Sequence, residues 1–224
     1  MYLSRLILNP RSRQVQRELA DPYEMHRTIM TAFPADLSGD ERVLFRLDQN
    51  LRTSGLNLLV QSQHSPDWEP LSGTGKSYLL PTDACPDGLP NPAVKQIDLG
   101  GKLVPGQVLA FRLSANPTVR KKVEGKKNGR RVGLYCQEEQ LQWLRRKIEA
   151  AGCNLIEARI VHQDRIYAKR RRDNHKRAMQ FVSAHFDGLL QVQDPGILLQ
   201  VINNGIGSGK GMGFGLLSLA PWQG

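Results

Sequence analysis

Three side chains near the start of one predicted helix have the types that acid–base chemistry on an anion requires. Tyr23 and His26 stand three residues apart, so a helix places them on one side about one turn apart, and Arg27 is adjacent. An imidazole, with an ordinary pKa near 6.5, gives or takes a proton near neutrality, whereas a phenol, with an ordinary pKa of about 10, is a poor base unless that pKa is shifted. The first turn of a helix also favours anions. The alternative is that His26 is structural or solvated, as single helical histidines usually are.

The helix that carries these residues begins with a clear capping pattern at residues 21–24. Aspartate is a preferred N-cap, proline fits the first helical position, and a glutamate three residues after the cap can reach back to it. Apolar residues then recur at helical spacing and predict the buried face. These residues are Met25, Ile29 and Ala32. The polar segment before the helix carries Arg11, Arg13 and Arg17, and it is assigned no helix or strand.

A glycine-rich stretch, Asn203–Ala220, lies near the other end of the sequence. Its glycines leave backbone N–H groups uncovered, so that a ligand could come close to the chain, and one lysine lies among them. A P-loop is excluded, because Asn204 stands where the first glycine is needed and Gly211 follows the lysine; the Gly73–Ser77 segment fails as well, since Pro70 replaces its first glycine. The dinucleotide-binding pattern also fails, since no G-x-G here has its third glycine. The alternative is a flexible turn between a helix and a strand. The members of interest are Gly205, Gly207, Lys210, Gly213 and Gly215.

Basic residues are concentrated in two runs in the second half of the chain. The formal charge is +10 and the pI is about 9.8. Such a balance favours an anionic partner, and two basic runs within one half of the chain make nucleic acid the leading candidate. Charge runs are otherwise usually solvated loops. The first run contains Arg120, Lys121, Lys122, Lys126, Lys127, Arg130 and Arg131, and the second contains Arg165, Lys169, Arg170, Arg171, Arg172, Lys176 and Arg177.

The cysteines support neither a metal site nor a disulfide framework. Cys85, Cys136 and Cys153 are odd in number and far apart, and the sequence has no C-x-x-C motif. No apolar run approaches the length that spans a membrane, and no signal peptide is recognised. We therefore expect a cytoplasmic protein with reduced thiols, without metal or cofactor.

Alternation and turn signals predict an α+β architecture in the first half of the chain. Strands are predicted at Tyr2–Asn9, Val43–Asp48, Leu56–Gln61 and, as an edge strand, Ser77–Pro81, with a short helix within Gln63–Leu71. A segment rich in Pro, Gly and Asp follows and predicts a linker. We expect domains at residues 1–92 and 106–224, joined by a linker at 93–105.

The second half predicts the order β-α-β-β-α-β, which is the ferredoxin-like order. Its basic runs are predicted as loops, the second of them as the tip of a hairpin. The predicted elements are strands at Gln107–Ala115, Leu155–Val161, Met179–Val192 and Leu216–Ala220, and helices at Glu138–Ala151 and after Asp194-Pro195. The first half shows most of the same order, so the expected fold class is α+β with two tandem ferredoxin-like (βαββαβ) domains and antiparallel sheets.

Several of these motifs together resemble the CasE family, the CRISPR RNA-processing endoribonucleases of the type I-E Cascade complex. The resemblance is carried by the opening Met-Tyr-Leu-Ser and by Tyr23-Glu-Met-His26. It is also carried by Phe111-Arg-Leu-Ser-Ala-Asn-Pro117 and by the closing Gly205-Ile-Gly207…Gly213-Phe-Gly215-Leu-Leu-Ser-Leu-Ala-Pro221. The similarity covers nearly the whole chain. It implies two tandem ferredoxin-like domains that cut CRISPR repeat hairpins without metal and stay bound to the product within Cascade.

The resemblance also implies roles for the residues. Tyr23 and His26 match the catalytic pair, and the ribose 2′-OH of the RNA is the implied nucleophile, leaving a 2′,3′-cyclic phosphate and a 5′-OH. We favour His26 as the principal proton-transfer group, most simply as the acid that protonates the leaving 5′-oxygen. Tyr23 either orients the 2′-OH by a hydrogen bond, which we favour, or acts as a base beside cationic groups. The glycine-rich stretch with Lys210 and the segment Lys169–Arg172 are implied to contact RNA. With them we expect Arg27, Arg120, Lys121, Lys122, Arg130 and Arg131 to bind RNA.

Two other kinds of function stay open from the residues alone. A ferredoxin-like RNA-binding subunit without cleavage would share the charge and fold, although an intact Tyr23–His26 pair argues against it. A DNA-binding protein would be expected to show a helix-turn-helix or zinc signature, and none is found. His162 and His175, which flank the second basic run, are the alternatives for a second proton-transfer group.

Overall fold

The computed structural model describes residues 1–37, 42–50, 55–73, 77–85, 88–122, 129–172 and 175–222. For residues 50, 168–172 and 175–178 it describes the backbone and not the side chains. The chain divides into two compact units. The N-terminal unit comprises Met1–Asp98, Tyr167–Met179 and Gly211–Gly213, and the C-terminal unit comprises Leu99–Ile166, Gln180–Lys210 and Phe214–Gly224. The domain boundaries at 92 and 106 remain a prediction.

The N-terminal unit contains a four-stranded sheet in the order β2-β3-β1-β4. Its pairings β1–β3, β1–β4 and β2–β3 are antiparallel. The strands are β1 (Tyr2–Leu8), β2 (Leu44–Asn50), β3 (Gly55–Ser62) and β4 (Ala93–Gln96). The edge strand predicted at Ser77–Pro81 is wrong: that segment makes one isolated bridge, Leu8 to Leu79, and the fourth strand lies at the start of the predicted linker.

Three helices accompany this sheet: α1 (Arg13–Ala20), α2 (Pro22–Met30) and α3 (Glu69–Ser72). The capped start of α2 confirms the prediction. Helix α1 was not predicted, because only Val15 among its apolar residues is fully buried and the other buried residue is Glu18. Side chains of α2 pack with the inward-facing residues of the strands in one apolar core. That core includes Leu6, Leu8, Met25, Ile29, Phe45, Leu58 and Val60.

The C-terminal unit has a second four-stranded sheet, in the order β10-β5-β9-β8. The strands are β5 (Val108–Ala115), β8 (Cys153–Arg172), β9 (His175–Val192) and β10 (Leu217–Pro221). The predicted loop at 165–177 is therefore wrong over most of its length, because two long neighbouring strands run through it; the hairpin itself is confirmed. Two residues between these strands, 173 and 174, lie outside the described residues.

A two-stranded ribbon and two helices complete this unit. The ribbon pairs β6 (Thr118–Lys121) with β7 (Arg130–Gly133), so the first basic run is partly strand and not wholly a loop, and residues 123–128 lie outside the description. The helices are α4 (Gln137–Glu149) and α5 (Pro195–Asn204), and Asp194 caps α5 by accepting from the Ile197 N–H at 3.0 Å.

Both sheets have the same connectivity. If the four strands of each sheet are numbered along the chain, their spatial order is 4-1-3-2 in both cases, with helices in the two connections. This agrees with the β-α-β-β-α-β order of the ferredoxin-like fold. The predicted α+β class with two tandem ferredoxin-like domains is confirmed. Among the described residues, the helices are all too short or too polar to cross a membrane.

Candidate active site and nucleic-acid interface

Helix α2 fixes the direction of Tyr23 and His26. The Asp21 carboxylate accepts a hydrogen bond from the Tyr23 N–H at 3.2 Å, and Pro22 occupies the first helical position. Both groups satisfy the backbone requirements of a helix start. The Tyr23 hydroxyl has no hydrogen-bond partner in the part of the chain that the structure describes. The cap thus holds two side chains one turn apart, and the phenol can bind a ligand.

The His26 imidazole is half-buried against an aromatic ring. It stacks on Phe45 of β2, with the ring centroids 6.1 Å apart and an angle of 11° between the planes. Its Nδ1 atom is buried and has no hydrogen-bond partner among the described residues. Buried polar atoms are usually paired, so an unpaired ring nitrogen requires an explanation. Because Nδ1 is closed off from solvent, the ring nitrogen that can exchange a proton with a ligand is Nε2, which is not buried in this way.

The glycine-rich stretch also lies against this imidazole. A methyl group placed on Gly211 would lie 3.4 Å from Cδ2 and 3.5 Å from Nε2 of His26. Two residues further on, Gly213 has a φ of 81° and packs on Phe45, where a Cβ atom would approach Cε2 to 3.1 Å. A side chain is therefore excluded at Gly213 by both conformation and space. His26 is thus held between an aromatic ring and a bare stretch of backbone.

Burial changes the protonation of this imidazole. Removal from water disfavours the charged form and lowers the pKa of His26 below its ordinary value of 6.5. The neutral form therefore predominates at pH 7 when no ligand is bound. A nearby phosphate would have the opposite effect and raise the pKa.

Arg27 lies on the solvent side of the same helix. Its side chain is 66% exposed and its Nη1 lies 3.2 Å from Oε2 of Glu24, one turn earlier. Exposed pairs of this kind contribute about 0–1 kcal/mol. The guanidinium can therefore leave Glu24 for an anionic ligand at little cost.

The C-terminal unit contains a cavity of about 470 Å³, which we name the basic groove. Five cations line it, and none of its described lining residues is acidic. Its lining consists of Thr118, Val119, Arg120, Arg131, Trp143, Arg146, Lys147, Gly205, Gly207, Ser208 and Lys210. Five of the residues predicted to bind RNA are therefore brought together: Arg120, Arg131, Gly205, Gly207 and Lys210.

The β6–β7 ribbon adds an electrostatic argument. Arg120 is paired in register with Arg131, and Lys121 with Arg130. Like charges directly opposite each other on a ribbon are destabilising unless an anion compensates them. Arg120 and Arg131 line the basic groove, whereas Lys121 and Arg130 occupy the alternate positions and do not. On chemical grounds the ribbon is therefore a candidate for binding an anion.

Sequence reasoning missed two residues of the groove, Arg146 and Lys147. They lie in the last turn of α4, which projects into the groove beside the glycine-rich stretch. Neither has an ion-pair partner among the described residues. Their position on the exposed stripe of an amphipathic helix gave no signal by itself. The sequence could have indicated them only if the exposed face of this helix had been considered together with the glycine-rich stretch.

Close packing shapes the glycine side of the groove. Gly207 has a φ of 82°, and a Cβ atom there would lie 3.2 Å from the Trp143 ring. The Asn116 side chain donates to Ser208 Oγ at 3.3 Å and accepts from the Val182 N–H at 3.1 Å. These contacts fix the backbone that carries Lys210.

The remaining predicted residues lie elsewhere or outside the description. Gly213 and Gly215 do not line the basic groove, and the Gly215 N–H donates to Ser114 O at 2.8 Å. Lys122 follows the end of β6 and is exposed. The predicted side chains Lys169, Arg170, Arg171 and Arg172 lie on β8 but outside the described side chains, as does His175. The His162 ring lies 5.6 Å from that of His185 in the C-terminal unit.

These features indicate a ferredoxin-like protein that binds nucleic acid. They are the two tandem domains, the basic groove in one unit and the half-buried imidazole in the other. The chain belongs to the CRISPR-associated protein family, whose model matches residues 1–221, and within it to the CasE/Cse3 members.

Two relatives and one solved structure document this membership. The chain is 36% identical, over 99% of its own length and 100% of the relative's, to the CRISPR-associated endoribonuclease Cse3 of Thermus thermophilus. It is 30% identical, over 99% and 100%, to the Cascade subunit CasE of Escherichia coli. A solved structure of Cse3 bound to a 19-nucleotide RNA superposes with a TM-score of 0.82 at 35% identity, covering 99% of this chain and 100% of that one. The predicted resemblance is therefore confirmed.

Proposed function

We propose that this chain is an endoribonuclease that cleaves the repeat hairpins of precursor CRISPR RNA and then stays bound to the mature hairpin. Its relatives of 36% and 30% identity are an endoribonuclease and a Cascade subunit. The observation that carries the proposal within this chain is the His26 imidazole, with its buried and unpaired Nδ1 on a capped helix. An imidazole fixed in this way can transfer a proton through its other nitrogen, Nε2, which is not buried.

The reaction needs no nucleophile from the protein. The 2′-oxygen of the ribose forms a bond to the adjacent phosphorus, and the bond from phosphorus to the 5′-oxygen breaks. The 2′-OH loses its proton to a base, and the leaving 5′-oxygen gains one from an acid. The products are a 2′,3′-cyclic phosphate and a 5′-OH.

His26 is the principal proton-transfer group in this scheme. Its low pKa in the free protein suits a base, and a bound phosphate raises that pKa towards what an acid needs. The unpartnered Tyr23 hydroxyl is placed one turn earlier to hydrogen-bond the 2′-OH. Arg27, freed from Glu24, would stabilise the negative charge that develops on the phosphorane.

The basic groove would hold the phosphates of the hairpin stem. Its five cations and bare glycine backbone suit a phosphate backbone and include no exposed aromatic side chain for base stacking. Lys121, Lys122, Arg130 and Lys169–Arg172 belong to the same proposal as contacts further along the RNA. Membership of a Cascade complex and a cytoplasmic location are also proposed, the latter supported by three cysteines that form no disulfide.

One experiment separates this enzyme from a binding subunit that does not cut. Repeat RNA is incubated with wild type, His26→Ala and His64→Ala, the last removing an exposed histidine of the same unit. We expect His26→Ala to lose cleavage by about 100-fold or more while RNA affinity is kept, and His64→Ala to behave as wild type. RNA binding without any cleavage by the wild-type protein would assign the chain to the non-catalytic alternative.

A further inference from the structure

A second cavity, of about 600 Å³, lies in the N-terminal unit at the start of α1, and we name it the α1 cavity. It is lined by Arg11, Ser12, Arg13, Gln14, Thr28, Thr31, Pro70, Leu71, Ser77 and Tyr78. Its volume falls within the range of about 300–1,000 Å³ that small-ligand sites have. None of the residues discussed above as catalytic or as RNA contacts lines it.

The α1 cavity lies away from the reaction site. At about 100° per residue, Thr28 and Thr31 point roughly 200° and 140° around α2 from His26. They therefore lie on the far side of the helix that carries the imidazole. A ligand in this cavity would not contact the reacting phosphate.

The N-terminus of α1 supplies unpaired backbone donors to this cavity. The first hydrogen bond into the helix runs from the Gln16 N–H to Ser12 O at 3.0 Å, so the N–H groups of residues 13–15 have no partner in the described part of the chain. The first turn contains no acidic residue. Such a helix end carries a partial positive charge that attracts anions.

Ser12 is an independent sign of a ligand. It stands at the N-cap and is 4% exposed, yet its hydroxyl makes no capping hydrogen bond. The hydroxyl has no hydrogen-bond partner among the described residues, although Ser12 lines the cavity. N-cap serines normally bond the helix, whereas this hydroxyl makes no such bond and is not sealed from solvent, so it is open to a ligand in the cavity. An acceptor in the cavity would satisfy the Ser12 hydroxyl and the free N–H groups together.

The charges around the α1 cavity select an anion. The exposed side chains of Arg11 and Arg13 have no ion-pair partner in the part of the chain that the structure describes, and none of the described lining residues is acidic. The nearby Glu18 carboxylate is buried and already accepts from three donors. These are Tyr78 Oη at 2.6 Å, Thr28 Oγ1 at 2.6 Å and Gln14 Nε2 at 2.9 Å. Glu18 therefore fixes the positions of the three cavity-lining side chains that donate to it.

We propose that the α1 cavity binds a backbone phosphate of single-stranded RNA that flanks the repeat hairpin. The proposal rests on the function proposed above, since it extends that substrate beyond the hairpin. Two guanidinium groups, a free hydroxyl and free backbone N–H groups form the donor set that phosphate oxygens accept from. Tyr78 is buried and bonded to Glu18, so no described aromatic face is offered for base stacking. The α1 cavity therefore recognises the phosphate backbone of the RNA and not its base sequence.

The test measures how much a flanking strand adds to binding. A His26→Ala background keeps the RNA intact. The RNAs titrated are the hairpin alone, the hairpin with a single-stranded extension at its 5′ end, the hairpin with one at its 3′ end, and the extension alone. Arg11→Ala/Arg13→Ala is compared with Arg17→Ala, which removes an exposed charge one turn further along α1 and outside the cavity. Ser12→Ala tests the hydroxyl without changing charge.

We expect an extension at one end to tighten binding, and the double variant to lose that gain by about tenfold, whatever the base sequence of the extension. Arg17→Ala should keep the gain, Ser12→Ala should lose part of it, and all variants should bind the hairpin alone like the parent protein. A gain that survives in the double variant, or that is lost equally in Arg17→Ala, would overturn the proposal.

Further measurements distinguish other ligands for the α1 cavity. Inorganic phosphate that raises the Tm of the parent but not of Arg11→Ala/Arg13→Ala, without any gain from the extension, would assign the cavity to free phosphate and overturn the RNA assignment. An aspartate-rich peptide that competes as well as the extension would assign it to an acidic protein. If the hairpin alone does not bind, the proposed function is wrong. Binding of the extension alone by the parent and by the double variant then decides whether the α1 cavity binds single-stranded RNA.

Discussion

At the scale of single residues, the proposed chemistry depends on the protonation of His26. Its ring is stacked on Phe45 and its Nδ1 is buried, so the neutral form is favoured in the folded protein. A histidine whose pKa is lowered on folding contributes stability above its unfolded pKa of about 6.5. That contribution is lost as the pH falls through the folded value.

This gives a prediction for stability. Between about pH 7.5 and about pH 5.5, wild type should lose more in Tm than His26→Gln, because only wild type must place a charged imidazole in the buried site. Thermal unfolding followed by circular dichroism at several pH values measures the difference. His64→Gln, which removes an exposed imidazole, serves as the control and should follow wild type. Parallel curves for wild type and His26→Gln would contradict the buried, neutral His26.

A second prediction concerns Gly211. An alanine Cβ would make ordinary contacts of 3.4 and 3.5 Å with the His26 ring, so Gly211→Ala should cleave at nearly the wild-type rate. A branched side chain at Gly211 should displace the imidazole, and Gly211→Val should lose about 100-fold in single-turnover cleavage. Equal rates for the two variants would show that the backbone at Gly211 does not position His26.

At the scale of elements, α1 and α2 are joined by the buried Glu18 carboxylate. Burial and the bond to Glu18 raise the pKa of Tyr78 above its ordinary value, so the phenol stays protonated and donates. Tyr78→Phe would leave part of a buried carboxylate unsatisfied.

We expect Tyr78→Phe to lower the free energy of unfolding by about 1.5–3 kcal/mol in urea titrations. Tyr135 is 44% exposed, and its hydroxyl has no hydrogen-bond partner in the described chain. Tyr135→Phe should therefore stay within about 0.5 kcal/mol of wild type. A Tyr78→Phe variant as stable as the control would mean that the hydrogen bond from Tyr78 to the buried Glu18 carboxylate contributes little to stability.

The basic groove gives a prediction for α4. Arg146→Ala/Lys147→Ala should weaken binding of the hairpin by about 10- to 100-fold and reduce the salt dependence of log K by about 2, because two phosphate contacts are lost. Arg145→Ala removes a neighbouring exposed charge that does not line the groove, and it should have little effect. Filter-binding at several salt concentrations measures both quantities. Equal effects of Arg145→Ala and the double variant would show that only net charge matters.

At the scale of the whole molecule, local signals predicted more than packing signals did. The cap at residues 21–24 predicted α2 and thereby the positions of Tyr23 and His26. Helix α1 was missed because its buried face combines Val15 with a buried glutamate, which no hydrophobic period reveals. The basic runs were predicted as loops, whereas long strands expose alternate side chains and can carry many cations.

The partners of the site residues could not be predicted in the same way. Phe45 lies on a strand and Gly211 far along the chain, and only the folded core brings them to His26. Arg146 and Lys147 join the glycine stretch by tertiary packing alone. The strand order 4-1-3-2 in both sheets follows from long-range pairings that the element order suggests but does not specify.

In the proposed reaction, the RNA supplies the nucleophile and His26 moves a proton. The most direct test is to cut repeat RNA with the wild-type protein in EDTA, map both product ends, and repeat the reaction with one 2′-deoxy substitution at the cut. We expect a 2′,3′-cyclic phosphate and a 5′-OH from the unmodified RNA, and no cleavage of the substituted RNA. Continued cutting at the 2′-deoxy position, or products with a 5′-phosphate, would contradict this mechanism.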